Sequence, residues 1–355
     1  MRKSLDAKLD RIADDPSCSD FILADAKDAD MAFGIAAPGH VAASLRDADA
    51  SLGETRPRAG GGEGTRYRSL QDYRDQIREI VRQQLVDIML MSVSTSGVVA
   101  VRERLFDDSS VTPAIRANDT TDIWLAGGQA AYGRQPSLPF RTVLLDEAME
   151  TDTNRPFTLR QPPVKLGLYS VTFNNDAGLD RGTLAAYREF REEAREFDFR
   201  HFLEVFPPNA PVQPVADIPR FVNDSIARLL AGIGAATRPI FLKIPYFGPA
   251  AMEQLVSYDS SLVVGILGGS AGTTFDAFHM LWEAKKYGAR AALFGRKINN
   301  AEHQLSFVVQ LRALADGHIE PADAVRAYHA ELDRLGITPQ RSLAEDLALS
   351  STSPK

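Results

Sequence analysis

The sequence predicts an α/β chain folded as a single-domain (β/α)8 barrel with an extended first βα loop. Three observations carry this expectation. Eight short apolar runs are separated by longer stretches whose apolar residues recur every three or four positions, the alternation that builds a parallel sheet from βα units. At 355 residues the chain is long enough for such a barrel. Its glycine-rich turns follow the seventh and eighth runs, where barrels commonly hold phosphate. The first strand-to-helix turn, ADAKDADMAFG, lacks the G-x-G-x-x-G that a doubly wound open sheet carries there.

Taken in order, the candidate strands are DFILADA (20–26), VDIMLMS (86–92), DIWLAG (122–127), VKLGLYSV (164–171), HFLEVF (201–206), IFLKIPY (240–246), LVVGILGG (262–269) and ARAALFG (289–295). Between them, SLQDYRDQIREIVRQQ, LAAYREFREEAREF, IPRFVNDSIARLLAGIG, TTFDAFHMLWEAKKYG and EHQLSFVVQLRALADG have the spacing of helices packed on one side. Residues 34–68 include the Gly-rich AGGGEGTRYRS and read as a mobile insertion, either a loop over the barrel mouth or a plain surface excursion. PADAVRAYHAELDRLG reads as a last helix. The barrel domain is expected over 1–340, with a tail, 341–355, that frays.

The formal charge of −7, with both signs mixed along the chain, leaves no basic footprint for nucleic acid. The lone Cys18 excludes an internal disulfide framework and makes a reducing cytoplasm the expected location. No apolar run approaches the roughly 20 residues of a membrane span, and MRKSLDAKLD does not read as a signal peptide. Six scattered histidines show no metal-ligand spacing, so neither a metal nor a cofactor is expected.

The chemistry centres on PIFLKIPY, where Lys243 interrupts an otherwise buried strand. An unpaired ammonium there costs several kcal/mol or gives up its proton. Side chains alternate along a strand, so Phe241, Lys243 and Pro245 share one face, Lys165, Gly167 and Tyr169 another, and Phe202, Glu204 and Phe206 a third. Three adjacent strands are thus expected to aim ionisable groups into one interior. That set suits amine chemistry on a carbonyl: Lys165 and desolvation would lower the pKa of Lys243, and Glu204, helped by Lys165 or Tyr169, would move protons. A buried Lys–Glu pair that merely joins strands fits the same residues.

Asp25 and Lys27 close the first strand, where a barrel opens to its active-site face, and are read as groups for proton transfer and substrate binding. Asp25 can equally serve as a helix cap, and capping is the favoured use of Asp28 and Asp30. GGSAGTTFDAFHM runs from strand into helix, so Gly269, Ser270, Gly272 and Thr273 are candidates to meet an anion. FGRKINN adds Gly295 for close approach and Arg296 to fork onto phosphate oxygens.

The set VKLGLYS, HFLEVF, FLKIPY, LGGSAG and FGRKI, in this order, resembles the class I aldolases of the tagatose-bisphosphate aldolase type. The archaeal-type fructose-bisphosphate aldolases and the autoinducer-processing thiolase-aldolase group are their relatives. The match covers mainly residues 160–300. It implies a (β/α)8 barrel with a Schiff-base lysine on strand six, a lysine on strand four, a glutamate on strand five, an aspartate on strand one and phosphate beyond strands seven and eight. Carried over by motif, these roles fall on Lys243, Lys165, Glu204, Asp25, Ser270 with Gly272, and Gly295 with Arg296. The implied activity is that of an aldehyde-lyase forming or cleaving a C–C bond in a phosphorylated sugar. Two alternatives stay open: dehydration or acyl transfer at the same lysine, and a non-catalytic barrel that binds a phosphorylated metabolite. The expected partners are a small phosphorylated substrate and, in a homo-oligomer, further copies of the chain; neither nucleic acid nor a membrane is expected.

Overall fold

A computed structural model describes residues 2–40, 67–125, 130–150, 162–269 and 272–350. Eight parallel strands close a barrel: β1 Ile22–Lys27, β2 Ile88–Met91, β3 Thr112–Arg116, β4 Leu166–Thr172, β5 Arg200–Phe206, β6 Leu242–Ile244, β7 Val264–Gly268 and β8 Ala291–Phe294. Neighbours follow chain order, and β8 pairs with β1 to complete the ring. Of the expected insertion 34–68, residues 41–66 lie outside the described residues.

Seven strands form on the runs expected of them; the third does not. DIWLAG was expected to be that strand, but residues 121–125 are turns, and 126 and 127 lie outside the described residues. Trp124 instead stacks on Tyr132 at 4.8 Å between ring centroids, beside a short antiparallel ribbon of Asp119–Thr120 with Pro139–Phe140. The barrel strand is TPAIR, upstream. Its proline and arginine disguise it, because Pro is rare inside sheets and a charge interrupts the apolar run. Its pairing with β4 is correspondingly brief, limited to Ile115 with Gly167 and Arg116 with Leu168.

Strands in a parallel barrel are buried on both faces, so their sequences read as continuous apolar runs and hide which residues point inward. Ile22, Ile88, Ala114, Leu168, Phe202, Phe241 and Leu293 form the inner cluster. Leu23, Met89, Ile115, Tyr169, Leu203 and Leu242 pack outward under the helices. An unanticipated helix, Ser4–Asp14, places Leu5 and Ile12 in the inner cluster and so plugs the N-terminal end of the barrel. Burying two such side chains contributes about 1.5–3 kcal/mol each.

The outer helices form where expected: Leu70–Gln83, Ala177–Glu196, Ile218–Ala231, Thr274–Lys286, Gln304–Asp316 and Pro321–Arg334. Side chains of Ser69, Asp176, Asp217 and Thr273 cap four of them by accepting N–H groups of the first turn. Residues 342–350 do not fray as expected. A short helix, Leu343–Asp346, carries a buried Asp346 whose carboxylate accepts from the Thr274 N–H at 2.7 Å and lies 2.9 Å from His329 Nε2. Among the described residues, no helix is long and apolar enough to cross a membrane.

Candidate functional site

Lys243 points into the barrel because its neighbours Leu242 and Ile244 belong to the outer layer. The register sets it beside Glu204 on β5 and Gly265 on β7. Its Nζ lies 2.6 Å from Glu204 Oε1, and the two side chains are 9% and 2% exposed. Gly265 is required at that register position: a Cβ there would meet the Leu242 carbonyl oxygen at 2.7 Å. The buried ammonium is therefore paired, which removes the largest objection to a charge in that strand.

The second oxygen of Glu204 is held from the other side. Ser170 Oγ donates to Oε2 at 2.6 Å, and the Arg116 Nη2 approaches it at 3.5 Å while donating to Ser170 Oγ at 3.2 Å. Arg116 Nη1 donates to Asp28 Oδ2 at 2.7 Å. Its Nε lies 3.5 Å from Asp119 Oδ1, an ion-pair contact without hydrogen-bond geometry. Asn118 fixes the floor of this cluster. Its amide accepts the Ser170 N–H at 2.6 Å and donates to the Ser170 carbonyl at 2.8 Å, extending in side-chain form the short β3–β4 pairing.

Two cations thus face three carboxylates in a space closed to bulk water. Burial works against the charge of Arg116, but Asp28, Glu204 and Asp119 outweigh it and raise its pKa. Asp119 is pushed up to about 6, chiefly by burial, with Arg116 opposing and Asp28 assisting. The buried Thr172 hydroxyl, two residues along the inner face of β4 from Ser170, has no hydrogen-bond partner among the described residues. A polar atom in that state is a place for a water or substrate hydroxyl.

Of the expected catalytic residues, the structure brings Lys243 and Glu204 together and sends three others elsewhere. On β4 the inward face is Leu166, Leu168 and Ser170 rather than 165, 167 and 169. Tyr169 packs outward against Phe190, 4.5 Å between centroids, and burial raises its pKa. Lys165 sits at the opposite end of the barrel, half exposed and 3.4 Å from Asp198. The cause is that β4 is apolar on both faces, so the alternation has no polar side to mark its phase.

Asp25 likewise faces out, on the side of Leu23, paired with Lys27 at 3.3 Å. Burial pushes Asp25 up to about 6 against the pull of Lys27, whose own pKa burial lowers. Lys27 also donates to Gln304 at 3.0 Å and is fully buried, so it is not at the mouth as expected. Asp28 and Asp30 do not cap the short helix Asp30–Phe33: Asp28 holds Arg116, and Asp30 accepts from the Ser92 hydroxyl at 2.6 Å. Arg116, Asp28, Asp119, Asn118 and Ser170 are the residues that reading the sequence missed. For Arg116, Asn118 and Asp119 the available signal was the charged and polar run RANDTT following TPAI.

The turns after β7 and β8 do meet. Lys297 Nζ donates to the Gly272 carbonyl at 2.7 Å, and Gly272 adopts φ +82°, open to glycine. Gly295 is needed because a Cβ would meet the Ala26 carbonyl oxygen at 2.7 Å. Arg296 is exposed, its guanidinium 5.3 Å over the Phe33 ring. Ser270 lies outside the described residues. The helix N-terminus at Thr274 is not free as expected: Asp276 takes the Thr273 N–H at 2.6 Å, Asp346 takes that of Thr274, and the Thr273 hydroxyl donates to Ala348. Of the expected anion positions, Gly269, Gly272, Gly295 and Arg296 are described, and the Gly272 carbonyl is taken up by Lys297.

No family model and no curated protein matches the sequence. Solved structures do match in fold. An archaeal fructose 1,6-bisphosphate aldolase aligns at TM-score 0.55 and 15% identity over 87% of this chain and 99% of its own. A structure of an archaeal fructose-1,6-bisphosphate aldolase with its catalytic lysine covalently bound to the carbinolamine intermediate of the substrate aligns at 0.56 and 15% over 87% and 100%. The fructose-bisphosphate aldolase from Slackia heliotrinireducens aligns at 0.62 and 12% over 91% and 89%. At these identities the likeness is one of fold: this chain is a single (β/α)8 barrel whose structural neighbours include Schiff-base aldolases.

Proposed function

We propose that this chain is a lyase of the class I aldolase kind, forming or cleaving a C–C bond in a phosphorylated ketose through an imine on Lys243. The observation that carries the reading is the 2.6 Å pair of Lys243 with Glu204 inside the barrel, where a serine one strand from Glu204 and an arginine two strands from it hold the other carboxylate oxygen. Transfer of a proton from the Lys243 ammonium to Glu204 leaves a neutral amine beside a carboxylic acid. The amine adds to the ketose carbonyl, and the excess proton on its nitrogen passes by way of Glu204 to the oxygen, which gives a neutral carbinolamine and leaves Glu204 protonated. Glu204 protonates the hydroxyl, water leaves, and the nitrogen lone pair closes the iminium.

In cleavage, the Glu204 carboxylate removes a proton from the hydroxyl two carbons from the iminium. The bond between the hydroxyl-bearing carbon and the carbon next to the iminium breaks, its electrons pass into the iminium, and an aldehyde departs from an enamine. Protonation of the enamine carbon by Glu204 and addition of water return the ketone and free Lys243. The water released in imine formation is taken up again, so no oxidant or metal enters the balance. Ser170 and Arg116 keep one edge of Glu204 engaged and leave Oε1 for proton transfer. Gly269, Gly295 and Arg296 are proposed to bind the substrate phosphate.

Borohydride reduction with dihydroxyacetone phosphate or fructose 1,6-bisphosphate, read by intact mass and peptide mapping, tests the assignment. A single adduct on Lys243 is expected. No adduct, or one on another lysine, overturns it, and an adduct without aldehyde release moves the reading to a Schiff-base dehydratase or acyl-transferring enzyme.

A further inference from the structure

A second feature lies at the opposite end of the barrel, where β4, β5 and β6 begin. A cavity of about 170 Å³ is lined by Arg191 and Arg195 from the helix Ala177–Glu196, by Arg200 and His201 of β5, and by Thr237 and Arg238 before β6. Four arginines line it in a chain of net charge −7, and the carboxylate on the wall, Asp198, is exposed and turned to Lys165. Two of the four are neutralised locally: Arg200 pairs with Asp6 at 2.8 Å and Arg238 with Asp259.

The other two are not. Arg191 and Arg195 stand one helical turn apart on the same helix face, a like-charge spacing that repels. Arg191 spans the cavity wall, donating from Nη1 to Thr237 Oγ1 at 2.9 Å with its guanidinium 5.2 Å over the Tyr187 ring; its Nε is buried without a partner. Arg195 is exposed, and its side chain makes no hydrogen bond or ion pair among the described residues. The end of a helix favours cations, which explains one arginine there but not four arginines lining one cavity.

The wall behind them is rigid. His201 is buried and its Nε2 lies 2.7 Å from the Tyr187 hydroxyl, while burial, and then Arg191, pull its pKa to about 3, so the ring is neutral and the positive field comes from the arginines. Ala194, Phe199 and Ile240 supply an apolar side. Guanidinium groups fork onto tetrahedral oxyanions, and an apolar side beside them suits an organic group attached to the anion. We propose that this cavity binds a small phosphate monoester, at a site separate from Lys243. The site sits at the start of β5, and Glu204 lies three to four residues along the same strand, about 10–13 Å away.

The proposal does not rest on the aldolase reading, and its test is a binding measurement. Isothermal titration of the full chain with phenyl phosphate, inorganic phosphate and benzoate at fixed ionic strength separates the cases. Phenyl phosphate is expected to bind at least tenfold more tightly than benzoate and more tightly than inorganic phosphate. Arg195→Glu is expected to weaken phenyl phosphate binding at least tenfold with an unchanged melting temperature, since Arg195 holds nothing in place. Arg191→Gln, which keeps a donor for Thr237, is a second variant expected to act in the same direction. Arg296→Gln is expected to leave this binding within twofold. Absence of binding in the wild type, indifference to both Arg191→Gln and Arg195→Glu, or dependence on Arg296 alone overturns the site, and equal binding of benzoate overturns the phosphate assignment.

Discussion

Lys243 and Glu204 face each other across adjacent strands, Nζ to Oε1 at 2.6 Å, and the carboxylate is gripped on its far side by Ser170 and Arg116. One carboxylate therefore joins the amine on β6 to a charge network reaching β1 and β3 through Asp28 and Arg116. The arrangement keeps the pair buried and oriented, as the proposed imine chemistry requires.

Lys243→Met should lower turnover roughly a thousandfold or more while the chain stays folded, because the nucleophile is lost but the volume is nearly kept. Circular dichroism and steady-state rates on the same preparation check this. Near-wild-type turnover would remove Lys243 from the mechanism.

Arg116→Met should be among the most destabilising single changes in the barrel. It strands Asp28, Asp119 and Glu204 without their shared cation, a loss of about 3–5 kcal/mol for a broken buried pair. Urea melts of the single variant and of Arg116→Met with Asp28→Asn are the measurement. Partial recovery in the double variant is expected, and additive losses would mean that the network is not coupled.

Asn118→Ala removes both hydrogen bonds that hold the Ser170 backbone. A loss of about 1–3 kcal/mol is expected, with kcat falling more than KM rises, since the displaced Ser170 acts on Glu204 rather than on substrate binding. An equal change in kcat/KM arising wholly from KM would contradict that role.

Asp119 titrates near 6 in the folded chain against a usual value of 3.8. Its folded pKa is raised, so its contribution is present below the unfolded value and is lost as pH rises through about 6. The wild type should gain stability relative to Asp119→Asn on going from pH 7.5 to 4.5, by on the order of 2 kcal/mol. Denaturant unfolding of the two proteins at both pH values measures it; a constant difference would place the Asp119 carboxyl in water.

Lys165→Met and Tyr169→Phe should leave kcat and its pH profile within about twofold of wild type, because Lys165 lies at the far end of the barrel and Tyr169 beneath the helices. A shifted pH–rate profile in Lys165→Met would return that lysine to the site.

Local pattern alone determined a good deal of this protein. The (β/α)8 architecture, seven of eight strands, the six main outer helices, the inward Lys243 and Glu204, and the pairing of two glycine-bearing turns were all legible. Each follows from periodicity, or from a charged residue standing out in an apolar run. What remained illegible depended on pairing across the chain. The phase of β4 was hidden because both its faces are buried, and only its register with β5 sets Ser170, not Tyr169, beside Glu204. The same holds for β1, whose neighbours turn Asp25 and Lys27 outward and leave Asp28 to meet Arg116. β3 went unseen because a proline and an arginine look wrong for a strand until two carboxylates from elsewhere in the sequence, Asp28 and Glu204, join the neighbouring Asp119 around that arginine. A charge in a strand is visible in a sequence; the partners that make its burial tolerable are chosen by the closed barrel, which brings together residues nearly ninety positions apart.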